Sequence, residues 1–215
     1  PQIVQAHGAL SGRIAGRLAG ARVIYTKHGF ASAAEASVQI REAGSLLRTL
    51  AVRHLADRIV AVSVAVRDAL IAQGADPGRV RVIHGGVDTR SYEAAQPPVP
   101  GVVGALGRLE REKGFDVLIA AMAELRGEAR LLIGGDGSQR AALEAQAAGL
   151  PVDFVGFVSD VPAFLSRIGI LAVPSRSEGL GLVAVEGMAA GRPVVASCTG
   201  GLSEVVAHGE TGFLV

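Results

Sequence analysis

Apolar positions along this chain fall into short β-branched runs separated by longer Ala- and Leu-rich stretches. The short runs occupy residues 2–6, 22–26, 58–62, 80–84, 102–106, 129–133, 152–155, 170–173 and 194–196, and the last three residues read as one more. Runs of this length, flanked by glycine, proline and small polar residues, predict strands. Between them, residues 45–56, 64–73, 115–125, 139–148 and 182–190 repeat apolar side chains at helical spacing. Ser63 stands where a helix N-cap belongs, Gly74 and Pro77 stop that helix, and Asp160 with Pro162 opens another. Strands alternating with helices predict βαβ units and parallel sheets, hence an α/β protein. The rhythm breaks over residues 88–100, where Pro97-Pro98-Val99-Pro100 reads as a stiff linker. The expected organisation is therefore one domain over residues 1–98 and a second over 99–215.

Composition supports buried parallel strands, since 49% of the 215 residues are hydrophobic. The single Cys198 rules out an internal disulfide and a multi-cysteine metal site. Net charge is +1, but residues 1–98 hold 12 Lys/Arg against 7 Asp/Glu, whereas the remainder is acidic. That excess is either ordinary surface variation or a face for an anionic membrane or a phosphate-bearing acceptor. Basic residues do not cluster with aromatics, so no nucleic-acid partner is expected. No apolar run reaches the ~18 residues of a membrane span. Residues 40–58 mix Arg41, Arg48, Arg53 and Arg58 with leucines. They could rest on an anionic bilayer, or form an amphipathic helix packed on a sheet. The chain opens in an apolar run and ends in another, so a piece lacking both chain ends is expected.

Four motifs carry candidate chemistry. Gly107-Arg108-Leu109-Glu110-Arg111-Glu112-Lys113-Gly114 follows a strand and enters a helix. A helix N-terminus disfavours a cation unless an anion lies between, so Lys113 with the forked donor Arg108 suits a diphosphate. On spacing alone, a solvated loop with Glu110 and Glu112 neutralising the bases is the better account of the run, because charge runs are usually surface features. In Glu178-Gly179-Leu180-Gly181-Leu182-Val183-Ala184-Val185-Glu186, a fully helical path would separate the two acids by about 12 Å. That exceeds the roughly 5–5.5 Å of paired catalytic carboxyls in a retaining glycosidase. Two distant acceptors gripping one long ligand fit better, with the amides of Gly181, Leu182 and Val183 between them. His7-Gly8 and Lys27-His28-Gly29 each follow a strand, at the edge where parallel sheets bind ligands. Gly134-Gly135-Asp136-Gly137 lacks the third glycine of a dinucleotide fingerprint, because Arg140 stands there, and reads as a tight strand-to-helix turn. No Walker A run, His-Glu-x-x-His pair, Asp-x-Asp or Gly-x-Ser-x-Gly elbow occurs.

Taken in order with Gly156-Phe157-Val158, Pro174-Ser175, Gly187-Met188-Ala189-Ala190-Gly191-Arg192-Pro193 and Gly200-Gly201…Glu204, these motifs resemble the family four retaining glycosyltransferases. The likeness is strong over 99–215. It is looser over 1–98, through Ala6-His7-Gly8, Thr26-Lys27-His28-Gly29 and His84-Gly85-Gly86-Val87-Asp88. The resemblance implies a GT-B fold, with two Rossmann-like domains facing across a cleft, both incomplete here. It implies a nucleotide-diphosphate sugar as donor, a hydroxyl acceptor that is lipid-linked or a saccharide, and no metal or other cofactor. Arg108 and Lys113 would bind the diphosphate, Glu178 the donor sugar and Glu186 the ribose. Gly181, Leu182 and Val183 would offer amides, Val158 would lie near the base, and His7 would face the reacting centre. The implied setting is cytoplasmic, at the inner face of the membrane, in glycolipid or surface-polysaccharide synthesis. Two rival readings use the same residues: a sugar-nucleotide epimerase of the same fold, and a non-catalytic nucleotide-binding fragment.

Overall fold

The computed structural model describes residues 1–8, 10–29, 54–92, 97–125 and 127–215. The chain divides into two compact units, Pro1–Gly85 and Gly86–Val215. The division falls earlier than the proline-rich stretch suggests, because Val87 and Tyr92 pack into the core of the second unit. A proline run marks stiff backbone, but apolar side chains ahead of it decide which core the connection joins.

Among the described residues, the first unit is built on four parallel strands in chain order: β1 (Ile3–His7), β2 (Arg22–Lys27), β3 (Arg58–Ala61) and β4 (Val80–Val82). Helix α1 (Leu10–Leu18), which the apolar pattern did not single out, lies on β1 and β2. It approaches closely because Gly16 leaves room for Val4 and Val23. Arg13 on this helix is buried, with its guanidinium 4.1 Å from the centre of the Tyr25 ring. Helix α2 (Val64–Ala72) starts as the sequence predicts, with Ser63 Oγ accepting from the Val66 amide at 3.0 Å. Residues 40–53, which hold most of the predicted helix at 45–56 and of the basic, leucine-rich stretch at 40–58, lie outside the described residues.

Among its described residues the second unit holds six parallel strands: β5 (Val102–Leu106), β6 (Arg130–Gly134), β7 (Val152–Gly156), β8 (Ile170–Val173), β9 (Val194–Ala196) and β10 (Gly212–Leu214). Their spatial order is β10-β9-β8-β5-β6-β7. The winding therefore reverses between β5 and β8, the only neighbours here that are not consecutive in the chain. Such sheets bind ligands where the order reverses, at the carboxyl ends of those two strands. Alternation along the strands feeds two cores, as the period of two requires. Leu131 and Ile133 join one core, with Phe115, Ile119 and Met122 of α3 (Phe115–Glu124) and Leu143 of α4 (Arg140–Gln146). Leu132 joins the other, with α5 (Val161–Leu165), α6 (Leu182–Ala189) and α7 (Leu202–Val205). Asp160 caps α5 by accepting from the Ala163 amide at 2.9 Å. Among the described residues, no helix is long and apolar enough to cross a membrane.

Candidate functional site

The loops after β5 and β8 meet where the strand order reverses. Gly107 donates its amide to Gly134 O at 3.0 Å, and Leu109 donates to Asp136 O at 2.9 Å, so the loops after β5 and β6 run side by side. Gly135 sits at φ +134°, and a side chain there would overlap the Gly107 carbonyl. The Gly134–Gly137 run is thus the tight turn its sequence suggests: Asp136 accepts from the Gly137 amide at 2.8 Å before α4 begins.

A single 3-10 turn, Arg111–Lys113, then leads to Gly114 at φ +67°. A Cβ on Gly114 would overlap the Pro174 carbonyl, so only glycine lets the start of α3 lie against the loop after β8. Arg176 fastens the contact. Its amide donates to Glu112 O at 2.8 Å and its guanidinium to Arg111 O at 2.9 Å. Its other bonds run to both Asp116 oxygens at 2.7 Å. This forked donation holds the Asp116 carboxyl below its ordinary range.

The product of this bracing is a short ion pair. Lys113 Nζ lies 2.6 Å from Glu178 Oε2, with side chains only 21% and 14% exposed. The buried Ser175 hydroxyl donates to the same oxygen at 3.1 Å. Glu178 O accepts from the Gly201 amide at 3.0 Å, which fixes the backbone just ahead of α6. Gly181 caps that helix, so the amides of Leu182 and Val183 stand at its start, where a helix leaves donors without internal acceptors. Anionic groups are favoured there. Arg108 stands apart from the pair, 72% exposed, with Nη2 3.1 Å from Glu112 Oε1. Exposed pairs of this kind contribute little and rearrange at small cost. Neutralisation within the loop therefore divides. Glu112 serves Arg108, whereas Glu110 turns to Ser138, accepting from its amide at 3.0 Å and its hydroxyl at 2.6 Å.

Glu186 occupies a second place on α6. The helix begins at Leu182, so the two acids are not joined by one continuous helix as the spacing estimate assumed. Glu186 lines an open depression of about 560 Å³ with Tyr92, Ser159, Asp160 and Pro162. Val158, just beyond β7, packs on the core cluster that also holds Tyr92. Burial pushes the Glu186 carboxyl up, and a hydrogen bond from the Tyr92 phenol opposes that shift. A raised folded-state pKa means that stability from this group is complete below its unfolded value and is lost as pH rises through the folded one. Glu186→Gln is therefore expected to raise the melting temperature more near pH 7 than near pH 4. Thermal melts of parent and variant at both values check this, and an equal change at both rejects it.

His7 ends β1 in the first unit, where it is exposed and its Nδ1 lies 2.7 Å from His28 Nε2, the rings stacked at 5.0 Å. The two strand-end histidine motifs of that unit thus come together. Ser175, Arg176, Asp116 and Tyr92 were not marked as functional in the sequence. Ser175 lies within a quoted motif, but nothing local distinguishes a hydroxyl aimed at Glu178 from one aimed at solvent. Tyr92 has no sequence signal, because its partner lies far along the chain on another element. Among the described residues no group of three or more His, Cys, Asp or Glu side chains is placed to hold a metal ion.

A reversed parallel sheet with glycine turns at the reversal and helices on both faces defines a Rossmann-like unit. The family model described as Glycosyl transferases group 1 matches residues 100–215, and the chain belongs to this family. The model for Glycosyltransferase Family 4 matches residues 1–91. The D-inositol 3-phosphate glycosyltransferases of Acidothermus cellulolyticus and Mycobacterium tuberculosis are each 34% identical to it, over 99% of this chain. The match covers 56% and 50% of their lengths, so the chain spans about half of these curated relatives. Among solved structures, Anabaena Alr3699/HepE in complex with UDP-glucose superposes with a TM-score of 0.87 at 28% identity. That match covers 100% of this chain and 64% of the other. The fold is the GT-B class expected from the motifs, with two Rossmann-like units of parallel sheet.

Proposed function

We propose that the protein of which this chain forms part is a retaining glycosyltransferase that uses a nucleotide-diphosphate sugar and needs no metal ion. The observation that carries this reading is the meeting of Lys113, Glu178 and the start of α6 at the strand reversal. The diphosphate lies along Lys113, Arg108 and the amides of Gly181, Leu182 and Val183. Glu178 accepts from donor-sugar hydroxyls, and Glu186 accepts from the ribose, with the base toward Val158. UDP-glucose bound to the Anabaena relative supports a donor of this class.

The bond from the sugar's anomeric carbon to the phosphate oxygen breaks, and the electron pair stays on that oxygen. Lys113 and Arg108 stabilise the charge developing there, without a metal. The acceptor hydroxyl attacks from the same face and its proton passes to the departing phosphate, so the anomeric configuration is kept. The relatives' name supports an acceptor that bears a phosphate, in sign with the basic residues of 1–98. The test is UDP release from UDP-glucose by the purified protein with D-inositol 3-phosphate as acceptor, with the product anomer read by NMR. Acceptor-dependent UDP release with an α-linked product supports the reading. A β-linked product overturns retention, and release that requires added divalent cation overturns metal independence.

A further inference from the structure

The strongest unexplained feature is an arrangement among the proposed catalytic groups themselves. Its main cation and its main acid are already bonded to each other. Lys113 Nζ and Glu178 Oε2 stand 2.6 Å apart, both largely shielded from water. The same oxygen takes the Ser175 hydroxyl at 3.1 Å, and Ser175 is itself buried. The loops that carry the two residues are clamped by Arg176 on Asp116 and by the close approach at Gly114. The pair is therefore a built contact that the fold brings back whenever nothing else occupies it.

We propose that Glu178 is an intramolecular competitor for Lys113, which makes the site hold the intact sugar donor and let go of the nucleoside diphosphate product. This rests on the reading above, in which Lys113 takes the diphosphate and Glu178 the sugar. With the intact donor bound, the sugar hydroxyls donate to the Glu178 carboxylate, so the acid keeps hydrogen bonds after leaving Lys113. The ammonium is then free to bind the diphosphate. Once the sugar has gone, the carboxylate loses those donors. A shielded carboxylate left with the Ser175 hydroxyl alone is costly, and the charged donor beside it is Lys113 Nζ. Glu178 then draws the ammonium away from the diphosphate, and product affinity falls. One acid thus acts with opposite sign on donor and product.

The experiment is calorimetric titration of UDP and of UDP-glucose into the purified protein, its Glu178→Gln and Lys113→Ala variants and the double variant. Glutamine keeps the size of the side chain and removes the charge. Glu178→Gln is expected to bind UDP about tenfold tighter, and UDP-glucose weaker, than the parent. In the Lys113→Ala background the same substitution is expected to leave UDP affinity unchanged, since nothing remains to compete for. Weaker or unaltered UDP binding by Glu178→Gln overturns the proposal. So does a tightening that persists in the Lys113→Ala background, which marks plain repulsion between carboxylate and phosphate. If Lys113→Ala alone leaves UDP-glucose binding unchanged, the diphosphate assignment of Lys113 fails first, and the competitor role falls with it.

Discussion

Lys113→Ala is expected to lower kcat/KM for the sugar donor by roughly 100- to 1000-fold, the loss typical of removing one preorganised charge-stabilising donor. The reasoning runs from placement. Lys113 ends a 3-10 turn at the reversal of strand order and is braced by Arg176 and by the packing at Gly114. Its ammonium is largely shielded, so a charge developing beside it is less screened than at an exposed site. Arg108 is exposed and its ion pair is with Glu112, so it cannot replace that fixed charge in full. The variant also leaves Glu178 shielded without its cation, a cost that falls on the folded protein. Steady-state kinetics with UDP-glucose, alongside a thermal melt, separate the two effects. An unchanged kcat/KM in a stably folded variant rejects the catalytic assignment of Lys113.

Gly135→Ala is expected to destabilise the second unit by about 2–5 kcal/mol, the sum of a left-handed backbone strain and an overpacked contact. The backbone at φ +134° disfavours any L side chain, and the new methyl group would meet the Gly107 carbonyl. That carbonyl cannot yield freely, because the Gly107 amide bonds to Gly134 O and the Gly135 amide bonds to Gly156 O at 2.7 Å. Moving the loop after β6 therefore drags the loop that carries Arg108 and Lys113. For a unit of this size the melting temperature is expected to fall by roughly 10 °C. A variant melting with the parent shows that the two loops separate at little cost. Gly191, also at positive φ but with open space around it, is a control: alanine there carries the backbone strain alone.

The charged motifs were legible before the structure, but their partners only in part. The sequence offered Glu110 and Glu112 as neutralisers of Arg108 and Lys113. Glu112, four residues away, does pair with Arg108, a contact within local reach. Glu110 goes instead to Ser138, and Lys113 to Glu178, across 28 and 65 residues. Nothing in the spacing of a single loop encodes those distances. Likewise α1 escaped the pattern, because its buried positions are Arg13 and Gly16 and not the large apolar residues that mark a helical face. Burial there follows from how closely β1 and β2 approach the helix.

By itself the sequence determined the strand positions, most helix boundaries, the Ser63 and Asp160 caps and the glycine turns, because each is decided by neighbours a few residues apart. Tertiary structure alone decided that the chain reverses between β5 and β8, and hence that Lys113 meets Glu178 there. It also decided that Tyr92 bonds to Glu186, and that the connection before the prolines joins the second core. The physical reason is one of range. Periodicity, caps and backbone preference act within a turn or a strand, whereas sheet order is chosen by the burial of whole elements.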